Sequence, residues 1–427
     1  MGQLRINAEA TIAGPPPRLR PMWRIGAACA VLACGGGEVA EPDAADARVV
    51  SVEVVPEATL IVGAGGEASF SATARTGLGT VVPGGAGALR WSLEDPTVAT
   101  IAPGGAAGTS TAVVTGVAAG VTRVVATIDG VRGSASLEVF IPEEVARYEP
   151  GRSYFGRSRY VEYIPGELPV ILSAPHGGRL IPAEIRERRS GTHVTDTNSM
   201  ELTRALRGAL LDLTGRAPHV ILSHLQRPRM DPNREIVEAA EGNPFAEQAW
   251  REFQGWIETA RTTVAADFGA GLYLDVHGHG HDIDRLELGY LLTADELNQS
   301  DAVLDGAEVV ARTSIRALGR TSSLPFSRLL RGPASFGGLL EAEGVASVPS
   351  PGDPSPGDAP YFRGGYNTRR HGSLAEDEVI SGIQLEHHFA GLRDNDANRR
   401  AYAEAAARVI RRFMLEHYGG FGGTSRP

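Results

Sequence analysis

The chain has almost no cysteine. Among its 427 residues only Cys29 and Cys34 are cysteines, and both stand near the N-terminus. The remainder therefore has no disulfide, no Cys-x-x-Cys redox pair and no thiolate metal ligand. It also lacks an apolar run long enough to cross a bilayer as a helix. No basic block with interleaved aromatics is present, and the formal net charge is -10. An acidic chain of this kind is unsuited to wrapping a phosphate backbone, so no nucleic-acid partner is expected. Gly-x-Ser-x-Gly is missing from the ends of the expected strands, which counts against a serine hydrolase.

Glycine, by contrast, is abundant: 53 residues, together with 27 prolines, favour turns and loops. Apolar residues make up 42% and charged residues 22%, a balance that predicts globular structure over most of the length. The length suffices for two domains, each with its own core.

Residues 1–48 read as an export segment and tether. In Met22–Cys34, MWRIGAACAVLAC, Arg24 precedes the short apolar run Ile25–Ala33, which has the length of a signal-peptide core. VLAC directly before a glycine tract resembles a bacterial lipoprotein signal, which implies a lipid anchor on Cys34. The expected location is a bacterial cell envelope, as a membrane-anchored lipoprotein. The alternative is a secreted or periplasmic soluble protein.

Residues 49–140 alternate apolar and polar positions in short runs between glycine turns, among them ARVVSVEVVP, ASFSATART, STAVVTGV and SASLEVF. Period-two runs at this spacing predict a small all-β sandwich, with Trp91 between its sheets. The stretches VSVEVVP, WSLEDPTVATI (91–101), VVTGVAAGVTRVVATIDG (113–130) and SASLEV resemble the bacterial immunoglobulin-like group 2 family. That resemblance implies adhesion, spacing or carbohydrate contact at cell surfaces, and with it contact with the cell envelope through this module. A passive spacer fits the same residues, since fold does not fix function. Residues 141–166 follow as a linker expected to pack on the next domain.

Residues 167–420 alternate strand-like and helix-like segments. LPVILSAP (168–175), PHVILSHL (218–225), GLYLDVHG (271–278) and LELGYLLT (286–293) read as buried strands. SGIQLEHHF (381–389) reads as a strand, with a helix as the alternative. Segments 199–215, 244–266 and the C-terminal NRRAYAEAAARVIRRFMLEHYG read as helices, as does ELNQSDAVLDGAEVVARTSIRALG. The expected fold is α/β, a mostly parallel sheet flanked by helices, with its site beyond the C-terminal ends of the strands.

Reactive residues gather at those ends. His176 follows the first strand before Gly177-Gly178, and Asp275 and His277 alternate on the third, so both face one side. His176 and His277 are the best pair of metal ligands. A zinc site with an open position needs a third, for which Asp196, just before a helix, is preferred and Glu184 competes. Asp275 is two residues from His277 and suits a supporting role. Arg227, Arg229 and Arg234 carry planar forks that match a carboxylate. His279 and His281 either line the cleft or form a metal-scavenging patch. The loop at 344–372 is expected as a lid, with Tyr366 and His371 touching substrate and Arg369 and Arg370 adding charge.

Together SAPHGG (173–178), the Asp196 region, RPRMDPNRE (227–235), LDVHGHG (274–280), GGYNTRRHG (364–372) and IQLEHH (383–388) resemble the N-formylglutamate amidohydrolase family. The resemblance covers most of 168–416. It implies a zinc-carboxypeptidase-like fold, zinc held by His176, Asp196 and His277, and Glu386 as general base and acid. It further implies that Asn233 and Arg234 recognise a substrate carboxylate, while the arginine forks and the expected lid add Arg227, Tyr366 and Arg370 as substrate contacts. Gly-Gly follows the histidine where Ser-Gly is the family's habit. With an export signal and a β module attached, the expected reaction is hydrolysis of an amide or formamide in an N-acyl amino acid or related carboxylate-bearing substrate. A zinc peptidase, or a surface binding protein with an inactive hydrolase-like domain, is the alternative.

Overall fold

The computed structural model describes residues 48–82, 89–104 and 110–422. The segment expected to direct export, with Cys29 and with Cys34 as the expected lipid-anchor residue, lies outside the described residues.

Alternating side chains build the first module. Its strands are β1 (Val49–Val55), β2 (Ala58–Val62), β3 (Glu67–Thr76), β4 (Val81–Val82), β5 (Arg90–Leu93), β6 (Ala99–Pro103), β7 (Thr111–Gly116), β8 (Gly120–Ile128) and β9 (Val131–Phe140). One sheet runs β1-β3-β7-β6 with β4 beside β3, and the other runs β2-β9-β8-β5. Every second residue points into the shared core: Val52 and Val54 from β1, Phe70 from β3, Val114 from β7, and Leu137 and Val139 from β9 are buried. Gly133 is needed where the sheets meet, because a Cβ there would sit 2.1 Å from the Val52 carbonyl oxygen. Trp91 stands on the edge strand β5 and is only half-buried, so Phe70, not Trp91, fills the centre.

The second domain is organised by one mixed sheet. Its strands are β10 (Tyr154–Phe155), β11 (Val161–Ile164), β12 (Val170–Ala174), β13 (His219–Ser223), β14 (Gly271–Gly278), β15 (Leu286–Gly289), β16 (Ser347–Val348) and β17 (Ile380–His387), in the order β10-β11-β13-β12-β14-β17-β15-β16. Pairs β12–β13, β12–β14, β14–β17 and β15–β16 are parallel. Pairs β10–β11, β11–β13 and β15–β17 are antiparallel. The expected mostly parallel, zinc-carboxypeptidase-like sheet is thereby corrected. The physical reason lies in the connections. A parallel crossover needs roughly a dozen residues or more. Residues 279–285, between β14 and β15, and 156–160, between β10 and β11, are too few, so the chain turns back antiparallel. Residues 141–166, expected as a linker, supply β10 and β11.

Both faces of the central strands are covered. Leu172, Val220, Leu274 and Leu385 point to one side, where helices Ser199–Thr214 and Asp396–Tyr418 pack through Leu206, Tyr402 and Val409. Ile171, Ile221 and Tyr273 point to the other, against Phe253, Ile257 and Val264 of helix Pro244–Phe268. Each such apolar side chain, taken from water, contributes about 1.5–3 kcal/mol. Asn243 caps the latter helix by accepting from the N–H groups of Phe245 and Ala246.

Two local expectations differ. The helix expected across 296–319 is broken into Ala294–Leu297, Asp301–Leu304, Ala307–Ala311 and Arg316–Thr321. Ser300 and Gly306 adopt extended backbone at the breaks. The strand expected to reach residue 293 stops at Gly289, since Leu291 has φ of 69°. Segment 381–389 is a strand over Ile380–His387.

The two modules are clamped by Arg157, which is 5% exposed. Its Nε and Nη2 donate to the two carboxylate oxygens of Glu138 on β9 at 2.7 and 2.5 Å. Nη2 also lies 3.4 Å from Glu184, and the guanidinium sits 4.3 Å above the Phe245 ring.

Candidate metal centre

The face of the sheet that carries Ile171 and Tyr273 turns polar toward its C-terminal end. Ser173 follows Ile171, Asp275 and His277 follow Tyr273, and Gln384 and Glu386 take the same face of β17. His176 lies just past β12. Gly177 permits the loop to approach the start of helix Ser199–Thr214, where a Cβ would meet Met200 N at 2.5 Å. That helix start carries Asp196, whose N–H donates to His176 O at 3.1 Å.

Three atoms converge. His176 Nδ1 is 3.3 Å from Asp196 Oδ2, His277 Nδ1 is 3.2 Å from the same oxygen, and the two Nδ1 atoms are 3.2 Å apart. All three side chains are buried. These three distances close a triangle small enough for one zinc ion to bond all three atoms, since zinc bonds to nitrogen and oxygen are about 2.0–2.2 Å long. Lone pairs aimed at one point repel unless a cation lies among them, so donor set and spacing both suit zinc.

The far nitrogens are held too. His176 Nε2 donates to Asp231 Oδ1 at 2.7 Å, and His277 Nε2 donates to Asp275 Oδ2 at 2.8 Å. A carboxylate on the distal N–H fixes the tautomer and turns the other nitrogen toward the metal. Burial would push the Asp231 carboxyl up. The charge and hydrogen bond of His176, with Arg227, outweigh burial and hold it far below the usual carboxylate range. Asp275 is likewise held down, against burial, by His277 and by Ser173 Oγ, which donates to it at 2.5 Å.

Glu386 is the exception among these acids. Burial pushes its carboxyl up to about 8, with the negative charges of Asp196 and Glu287 adding to the rise against the pull of His277. Gln384 Nε2 donates to its Oε1 at 2.9 Å, which leaves Oε2 for a proton. Glu386 and His277 are register partners across β14 and β17.

The other sequence-selected residues divide. Arg227 joins the centre: its Nε donates to Asp231 at 2.9 Å and its Nη1 lies 3.6 Å from Asp196. Asn233 is buried, and its Oδ1 accepts from Asn367 N at 2.8 Å, so it fixes the 365–367 segment. Arg234 donates to Glu238 at 3.0 Å and to the Asn233 carbonyl. Arg370 donates to the Tyr366 hydroxyl at 2.8 Å and lies over Trp250, whose indole N–H donates to Arg234 O. These four form one strip beside the centre. Arg229 donates to Ile185 O. Glu184, the competing ligand, is drawn away to Tyr160 and Arg157. His371, expected to touch substrate, is fully buried and bonded to Gln254 at 2.6 Å.

Two residues escaped the sequence reading. Asp231 lies inside RPRMDPNRE, and its spacing from a strand end was the available signal. Arg393 donates to the carbonyls of Thr197, His279 and His387. It thus ties together the loops that carry Asp196, His277 and Glu386, and nothing in GLRDN announces that.

No family model matches the chain, and no curated protein matches it. Among solved structures, it is similar to the surface-layer protein SbsC, domains 1–6, at 21% identity and TM-score 0.20, covering 24% of this chain and 14% of that one. It is similar to FdeC, an Escherichia coli adhesin, at 19% identity and TM-score 0.18, covering 26% and 38%. The gene product Atu2144 from Agrobacterium tumefaciens matches at 14% identity and TM-score 0.37, covering 61% of this chain and 98% of that one. The chain thus spans a minor part of the surface-layer and adhesin structures named.

Proposed function

We propose that the second domain is a zinc-dependent hydrolase of an amide or formamide bond in an N-acyl amino acid or related carboxylate-bearing substrate. The observation that supports it most is the triangle of His176 Nδ1, Asp196 Oδ2 and His277 Nδ1, each histidine backed by its own buried carboxylate. Zinc bound there would supply Lewis acidity, polarising the carbonyl and acidifying water.

The chain's own groups do the rest. Glu386 has a carboxyl pushed up by burial, with Oε2 left clear of the Gln384 hydrogen bond, as a group that moves a proton requires. Its Oε2 takes a proton from the attacking water and returns it to the departing nitrogen. Arg227 has Nε and Nη1 committed to Asp231 and Val194 O, so its Nη2 edge remains for a substrate carboxylate. The Tyr366 and Arg370 strip would border the acyl or peptide side.

The resemblance to the N-formylglutamate amidohydrolase family supports the same reading. Export to a cell envelope, with a lipid anchor at Cys34 and envelope contact through the β module, completes it. The test is release of amine from a panel of N-acyl amino acids and short peptides, with and without a chelator. Chelator-sensitive release supports the proposal. Metal well below one per chain, with no release from any substrate, refutes it.

A second reading is a surface binding protein whose hydrolase-like domain does not turn over. It rests on the two-sheet module and its WSLEDPTVATI signature. The names SbsC and FdeC go with this reading, but at TM-scores of 0.20 and 0.18 they do not decide between the two.

A further inference from the structure

Beyond Glu386, on the side away from the first centre, stands a second group of ligand-type side chains. We infer that His279, His281 and Glu287 form a separate site for a divalent cation of the zinc class. This rests on the following geometry and not on the hydrolase reading.

Register places the group. His277 and Glu386 are partners across β14 and β17, and Glu386 and Glu287 are partners across β17 and β15. One lateral row therefore runs His277, Glu386, Glu287, with the first centre at one end. His279 and His281 rise from the loop just past β14, above the other end. Their donor atoms and that of Glu287 lie within 4.8 Å of one another.

Each member is oriented as a ligand would be. His279 is 3% exposed, and its Nε2 donates to Arg285 O at 2.8 Å, so Nδ1 carries the lone pair. That Nδ1 accepts from His281 N at 3.1 Å. His281 Nδ1 is 2.7 Å from Glu287 Oε1. A bound cation would replace these two internal hydrogen bonds with coordinate bonds.

Glu287 supplies the electrostatic reason. It is 1% exposed, yet among the described residues no arginine forms an ion pair with it, and the chain has no lysine. Among the described residues its remaining oxygen accepts from Phe362 N alone, at 2.8 Å. A buried carboxylate with so little compensation is costly unless a cation joins it. His388 lies nearby, its ring centroid 6.4 Å from that of His279 and its Nδ1 buried with no hydrogen-bond partner among the described residues. The Phe362 ring stacks on His281 at 4.6 Å and 12°, covering one face of that imidazole. Two imidazoles with one carboxylate form a donor set that suits zinc better than magnesium or calcium.

The experiment counts zinc per chain by elemental mass spectrometry, on the full-length protein dialysed against zinc. The wild type should hold about two ions. His281→Ala should hold about one, His277→Ala about one, and the double variant none. Glu287→Gln, which keeps the side-chain shape, should also hold about one, and guards against a folding defect in His281→Ala. If the wild type holds one ion that His277→Ala removes and both second-site variants keep, the inference is overturned while the first centre stands. If the wild type holds one ion that survives His277→Ala and is lost in both second-site variants, the second site is supported and the first centre fails.

Discussion

His277 and Glu386 stand side by side in register on neighbouring parallel strands, one bonded to Asp275 and the other to Gln384. This places a ligand-type imidazole and a protonatable carboxyl on one face of one sheet. The pair differs in how burial acts on it. Around His277 the carboxylates outweigh burial, whereas around Glu386 burial and neighbouring negative charge act together.

Glu386→Gln is expected to retain zinc and lose turnover by a factor of about 10²–10⁴, the range typical of general acid–base catalysis. The amide keeps the volume and can still meet Gln384. Zinc content and kcat measured on the same preparation check it. Unchanged kcat would remove Glu386 from the reaction.

Asp231→Asn tests the support behind the first centre. With the carboxylate gone, nothing requires His176 to present Nδ1 as its free nitrogen. Loss of such a partner weakens metal binding by about 10- to 100-fold. Competition against a chromophoric chelator measures the change, and circular dichroism verifies that the fold is kept.

Much of this centre was legible in the sequence. His176, Asp275 and His277 stand at the ends of apolar runs, where strand geometry alone points them to a common edge. Asp196 and Glu184 were not separable there, because only the fold reveals that Tyr160 and Arg157 take up Glu184. Asp231 was hidden because its partner is 55 residues away. The sheet read as mostly parallel because period and length identify buried strands without giving their direction. That direction is set by the short turns at 156–160 and 279–285.

Arg157→Ala should loosen the two modules. It removes a bidentate hydrogen bond to Glu138 and the contact with Glu184. Hydrogen bonds to charged groups contribute about 1.5–3 kcal/mol, and the partly exposed acids place the loss toward the lower end. Calorimetry should show the unfolding of the β module separating from that of the larger domain. A single unshifted transition would contradict the clamp.

Stability should fall on acidification between pH 6.5 and 4. Burial holds His219 and His371 down to about 4 and His387 down to about 3. Below pH 6.5 the unfolded chain takes up protons at these positions while the folded chain does not, so the unfolded state gains. By pH 4 each contributes a loss on the order of 3 kcal/mol. Urea unfolding across this range should give a free energy that rises with pH. A flat profile would show that these histidines are not held neutral.

The most direct test of the metal centre is anomalous diffraction at the zinc edge from crystals of the full-length protein grown with zinc. A peak within bonding distance of His176 Nδ1, Asp196 Oδ2 and His277 Nδ1, absent in His277→Ala, is the expected result. Crystals of folded protein with no anomalous density between those three atoms would contradict it.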